Sequence, residues 1–186
     1  MDFNLPTNLT LLRIGLIPIL VVIFYLPWDA AHMVSALIFL AAALTDWLDG
    51  YLARRMGQTT KFGAFLDPVA DKLMVAVVLV LIVQAEPTAY LAIPAAVIIG
   101  REITIASLRE WMAELGLRNK VEVSWVGKMK TTAQMIAITS LLFGEDLAGI
   151  SMRLVGLVLL YIAVILTLWS MTRYIRAALP TMLEHT

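Results

Sequence analysis

Long apolar stretches alternate with short polar breaks along the whole chain. Six of these stretches, over roughly 9–26, 32–53, 68–84, 89–115, 127–143 and 150–174, approach or exceed the ~20 mainly apolar residues that a helix needs to cross a bilayer. The breaks read "PWD", "RRMGQTTK", "AEP", "GLRNK" and "GED", all rich in the residues that end helices and make turns. Pro18 and Pro94 fall inside spans, where neighbouring helices satisfy the backbone groups that a proline frees. The pattern predicts an all-α integral membrane protein with six transmembrane helices. No internal repeat or low-complexity stretch divides it, so residues 1–186 read as a single six-helix domain.

Composition supports the membrane reading. Hydrophobic residues make up 61% of the chain, against ~45–50% in soluble domains. There is no cysteine, which excludes disulfides and zinc-thiolate sites. A formal net charge of zero argues against a nucleic-acid binder. The opening "MDFNLPTNLT" lacks the basic start of a signal peptide, so the first apolar run is expected to stay in the mature protein.

The basic residues orient the spans. Arg54, Arg55, Lys61, Arg118, Lys120 and Lys128 lie in or beside the breaks after spans two and four, and Arg173 and Arg176 lie in the tail. The breaks near Asp29, Glu86 and Glu145 hold no Lys or Arg, with Arg153 at the start of span six the one exception. By the positive-inside rule both termini and the basic loops face the cytoplasm. Trp28, Trp111 and Trp169 read as interfacial anchors.

Against this apolar background, "TDWLDGYLARRMGQTTKFGAFLDPVADK" carries four acids. Asp46 and Asp49 are three apart, and Asp67 and Asp71 are four apart. On helices both spacings put the pair on one face, and the short loop between the two helices makes them antiparallel neighbours. Four carboxylates then meet near the cytoplasmic surface. One Asp inside a span costs about 2.5–3.5 kcal/mol on insertion scales, and four also repel one another. Spans two and three carry no matching set of cations, so divalent ions are the natural counter-charge. Mg²⁺ or Mn²⁺ takes oxygen ligands and often shares carboxylates with substrate phosphates, and a two-metal site suits four acids. The competing structural explanations are an ion pair between Asp46 and a nearby Arg, and Asp67 before Pro68 as a helix N-cap. Gly50, Ala53 and Gly63 leave a helix face without bulk, which serves either a closely approaching ligand or helix packing. Arg54 is either a phosphate-binding cation or a membrane anchor.

At these positions the chain resembles the CDP-alcohol phosphotransferase family, whose signature is D-x2-D-G-x2-A-R-x8-G-x3-D-x3-D. It reads here as Asp46, Asp49, Gly50, Ala53, Arg54, Gly63, Asp67 and Asp71, with no departure. Beyond the signature, "NLPTNLTLLR", "FGAFLDPVADK", "REITIASLREW" and "VGKMKTTAQM" are similar to bacterial members that use glycerol 3-phosphate as acceptor. The resemblance implies the family's six-helix fold and transfer of a phosphatidyl group from CDP-diacylglycerol, a membrane lipid, to glycerol 3-phosphate, with release of CMP. It further implies two Mg²⁺ or Mn²⁺ ions, a homodimer, and a site on the cytoplasmic side of the bacterial inner membrane. By family role Asp46, Asp49, Asp67 and Asp71 hold metal, and Asp71 is also the base. Gly50, Ala53, Arg54 and Gly63 line the CDP site together with Asp49, and Asn8 is a further candidate on the nucleotide side.

The motif leaves the acceptor open, and two rivals stand beside this reading: a family member with another acceptor, and a divalent-cation transporter using the acids as its ion site. One feature of the residues bears on the choice. Arg101 sits deep in an apolar run, Arg109 follows eight residues on, and Lys128 and Lys130 begin span five. Cations beside metal-binding acids suit an anionic acceptor, with Arg101, Arg109 and Lys128 as phosphate contacts. The structural alternatives are pairing of Arg101 with Glu102, pairing of Arg109 with Glu110, and Lys128 and Lys130 as anchors.

Overall fold

The computed structural model describes residues 5–56, 61–115 and 125–184, with side chains described except at 5–6, 47–56, 61, 64, 125–128, 177–178 and 180–184. Among them are six helices: α1 Leu5–Phe24, α2 Ala31–Met56, α3 Lys61–Ala85, α4 Ala89–Glu114, α5 Trp125–Phe143 and α6 Met152–Glu184. They match the six apolar stretches to within a few residues at most ends. Two differences matter. α3 begins at Lys61, ahead of Asp67, and runs straight through Pro68. Asp67 is therefore inside a helix and is no N-cap, and Gly63 lies one turn before it on the same helix. Between α5 and α6 a two-residue hairpin, β1 Asp146–Leu147 and β2 Ile150–Ser151, pairs Asp146 with Ser151 and Leu147 with Ile150. Its turn places Ala148 and Gly149 at positive φ (51° and 80°), the backbone that glycine adopts at no steric cost.

The helices run alternately up and down. The pairs Arg13–Asp46 and Phe24–His32 fix α1 antiparallel to α2. Contacts of Arg101 with Ser170 near one end, and of Tyr90 with Arg153 and Tyr161 near the other, fix α4 parallel to α6. The start of α1, the ends of α2, α4 and α6 and the starts of α3 and α5 thus fall at one end of the bundle. The core is apolar, built on Leu20, Phe39, Val78, Ile98, Ile138 and Leu160. In lipid there is little hydrophobic drive between helices, so close packing and small residues hold them together. Gly156 shows this: a Cβ there would lie 2.7 Å from Leu141 Cγ and 3.0 Å from the Ala137 carbonyl oxygen, so α6 meets α5 at a point where only glycine fits without a shift.

The outer surface is apolar as well. Val22, Ile93, Ile103, Leu154 and Ile165 are each more than 60% exposed, the reverse of a water-facing surface and suited to lipid tails. α1 over Thr7–Phe24, α4 over Ala89–Glu114 and α6 over Met152–Arg176 are long and apolar enough to cross a membrane. α2 is apolar over the shorter Ala31–Asp46 and turns polar where the acidic motif begins. Among the described residues, three of the six expected spans therefore meet that criterion by themselves. Arg153, the basic residue on the side that otherwise carries only the acids Asp29, Glu86, Glu145 and Asp146, is neutralised: it pairs with Glu86, donates to Tyr90 Oη at 2.5 Å and lies over the Tyr90 ring.

Candidate active site

The acidic motif comes together around a residue that the sequence reading passed over. Arg13, on the inward face of α1, is 2% exposed. Its Nη1 lies 2.5 Å from Asp46 Oδ1 on α2 and 3.5 Å from Asp67 Oδ1 on α3. An arginine buried in a membrane helix is costly and needs a partner, and the two acids supply it. The ion-pair alternative for Asp46 is thus realised, with an Arg from a different span. Asp71 lies one turn beyond Asp67 and joins Arg13, Ala42, Asp46, Met74 and Met135 in lining a small cavity between α1, α2, α3 and α5. Asp49 stands on α2 three residues after Asp46, with its side chain outside the described residues, as are those of Ala53 and Arg54; of Gly50 only its place on α2 is described.

Among the described residues no three acid or histidine side chains converge on a common point as a closed ligand set. The donor chemistry nevertheless suits a hard cation. Asp67 Oδ1 is buried and accepts no hydrogen bond, and each carboxylate has acceptor capacity beyond one hydrogen bond. Charge points the same way. Among the described side chains, the guanidinium of Arg13 faces Asp46, Asp67 and Asp71, a formal −2 (+1 − 3), which the adjoining ionic cluster does not fully offset. These residues fit Mg²⁺ or Mn²⁺.

Beside the acids lies a second ionic cluster. Glu102 Oε1 accepts from Arg101 Nη1 at 2.9 Å and from Lys130 Nζ at 2.6 Å, which ties α4 to α5. Arg101 Nη2 also donates to Ser170 Oγ of α6 at 3.2 Å, while its Nε is buried with no hydrogen-bond partner. Lys130 is 6% exposed, so it is no surface anchor. The cluster carries a formal +1 (two cations, one acid), and its charges reach the acids: Asp71 interacts electrostatically with Glu102, and Lys130 with Asp71. A site for negative charge thus adjoins the last acid of the motif.

A profile of the CDP-alcohol phosphatidyltransferase family matches residues 3–169. The chain belongs to this family. Among curated CDP-alcohol phosphatidyltransferases, a protein of Salmonella choleraesuis named CDP-diacylglycerol–glycerol-3-phosphate 3-phosphatidyltransferase is 55% identical over 185 residues, 100% of both chains. Proteins of the same name from Haemophilus influenzae and Yersinia enterocolitica are 54% and 56% identical, over 100% and 99% of this chain and 98% and 100% of theirs.

The remaining expected site residues of this phosphatidyltransferase are spread more widely. Asn8 is exposed on α1, one turn and a half before Arg13. Arg109 is exposed near the end of α4, where its guanidinium stacks 5.6 Å from the centre of the Tyr174 ring on α6. It stands about 12 Å along the helix from Arg101, and the two engage different partners. The side chain of Lys128 is outside the described residues. The Arg101–Glu102 pairing weighed from the sequence is realised, while the roles of Arg13, and of Lys130 as a second partner of Glu102, were not assigned there. One signal was available: a charged residue in the middle of an apolar helix marks a site by default.

Proposed function

We propose that the chain transfers the phosphatidyl group of CDP-diacylglycerol to glycerol 3-phosphate, giving phosphatidylglycerophosphate and CMP. The observation that carries this reading is near-complete identity in length, at 54–56% of positions, with relatives named for that activity. The unbroken acid spacing of Asp46, Asp49, Asp67 and Asp71 supports it.

In this reading the four acids would hold two Mg²⁺ or Mn²⁺ ions, whose charge would offset that of the donor diphosphate and of the CMP leaving group. Gly50, Ala53, Arg54 and Gly63 receive the CDP moiety, with Asn8 a further candidate on the nucleotide side. Arg101 and Lys130 hold the acceptor phosphate, with Lys128 and Arg109 as the further candidates that the sequence offers. Lys130 enters because it is buried, charged and within electrostatic reach of Asp71. The acceptor hydroxyl oxygen forms a bond to the phosphorus that carries diacylglycerol. The bond from that phosphorus to the CMP oxygen breaks, and Asp71 takes the hydroxyl proton. Positioning supplies most of the rate, as in phosphoryl transfer generally.

The same reading places six spans in the bacterial inner membrane, both termini and the site on the cytoplasmic side, and two copies in a homodimer. The distribution of Lys and Arg supports the orientation, and the family resemblance supports the dimer. Purified protein incubated with CDP-diacylglycerol and a panel of acceptors tests the activity. CMP release is expected with glycerol 3-phosphate, to be abolished by EDTA and restored by Mg²⁺ or Mn²⁺. Release with a neutral alcohol in place of glycerol 3-phosphate, or full release in EDTA, would overturn the acceptor or the metal assignment respectively.

A further inference from the structure

Arg13 belongs to none of the groups that bind CDP, accept the proton or hold the acceptor. It is nevertheless among the largest fully buried side chains of the protein. Its guanidinium comes from α1, a helix with no motif acid, and contacts one acid from each of the two helices that have them. Asp46 and Asp67 are the leading acids of their pairs. Asp49 follows Asp46 by three residues and Asp71 follows Asp67 by four, each about one rigid turn along its helix. Fixing the separation of Asp46 and Asp67 therefore fixes how the two acid pairs face each other. A planar guanidinium suits this task, because the N–H donors of its fork lie at fixed angles, here with Nη1 toward Asp46 at 2.5 Å and Asp67 at 3.5 Å, where an ammonium is a rotatable point charge.

We propose that Arg13 is a positioning residue that aligns the acids of α2 and α3 for divalent metal. The inference rests on reading those acids as the metal ligands. Arg13 adds a positive charge near the cations, which by itself weakens their binding. Alignment outweighs this, as hydrogen-bonding partners of metal ligands generally raise affinity ~10–100-fold. A purely structural ion pair between helices would instead leave metal affinity untouched or improved when its cation is removed.

The test is Mn²⁺ affinity of the purified full-length protein, read from the electron paramagnetic resonance signal of free Mn²⁺, together with thermal stability in EDTA. Wild type is expected to take up Mn²⁺. Arg13→Gln is expected to bind about 10–100-fold more weakly, and Arg13→Lys, which keeps the charge and loses the fork, to fall between the two. Wild type that takes up no Mn²⁺ overturns the metal reading and this inference with it. Wild type that binds while Arg13→Lys binds equally well, or Arg13→Gln binds more tightly, overturns this inference alone. Failure of both variants to fold also overturns it, because Arg13 would then serve assembly and not metal affinity.

Discussion

Lys130 Nζ donates to Glu102 Oε1 across 2.6 Å, inside the bundle and within electrostatic reach of Asp71. A buried lysine on α5 is thus held in place by an acid of α4 that also holds Arg101. The arrangement keeps Lys130 beside Asp71, with Arg101 on the same acid. Lys130→Met keeps the bulk of the stem and removes the charge. A charge-assisted hydrogen bond to phosphate contributes ~1.5–3 kcal/mol, so the KM for glycerol 3-phosphate should rise at least ~10-fold. The KM for CDP-diacylglycerol should change little. Steady-state kinetics with each substrate varied in turn checks this, and an equal rise for both would remove Lys130 from the acceptor site.

Glu102→Gln acts on stability. It leaves Arg101 and Lys130 side by side with no acid between them. Removing one partner of a buried ionic group costs about 3–5 kcal/mol, so the variant should melt well below wild type in the same detergent. A melting temperature equal to wild type would mean that water already screens the cluster.

Asp71→Asn tests the base. The change conserves size and removes the proton acceptor. General-base catalysis contributes ~10²–10⁴-fold, so kcat should fall by at least ~10²-fold while CMP affinity is largely kept. If CMP and metal affinity are lost to the same degree as turnover, Asp71 acts as a ligand only.

Gly156→Val probes the contact of α6 with α5. The new Cβ would press on Leu141 and on the Ala137 carbonyl, and overpacking of this kind costs ~1–3 kcal/mol. A fall in melting temperature is expected. An unchanged value would show that the two helices separate at little cost.

Much of this was legible in the chain because it depends on residues close in sequence. Apolar stretches separated by turn residues determined six helices, since backbone groups in lipid must be satisfied within each segment. Spacings of three and four residues put Asp46 with Asp49 and Asp67 with Asp71, because a helix turns once in 3.6 residues. Pro68 pointed the wrong way: Asp67–Pro68 looks locally like a helix start, and α3 passes through it.

The sequence alone did not determine which charges meet. Arg13 and Asp46 are 33 residues apart, and Glu102 and Lys130 are 28 apart. Local pattern favours Lys128 over Lys130 as a phosphate contact and gives Arg13 no role, since any cation near the cytoplasmic surface satisfies the same pattern. The packing of α1 against α2 and α3, and the bundle that brings Glu102 of α4 to Lys130 of α5, put Arg13 and Lys130 in the interior. A charge deep in the bundle stays there only with a counter-charge at hydrogen-bonding distance, and that distance is set by how helices far apart in sequence lie side by side.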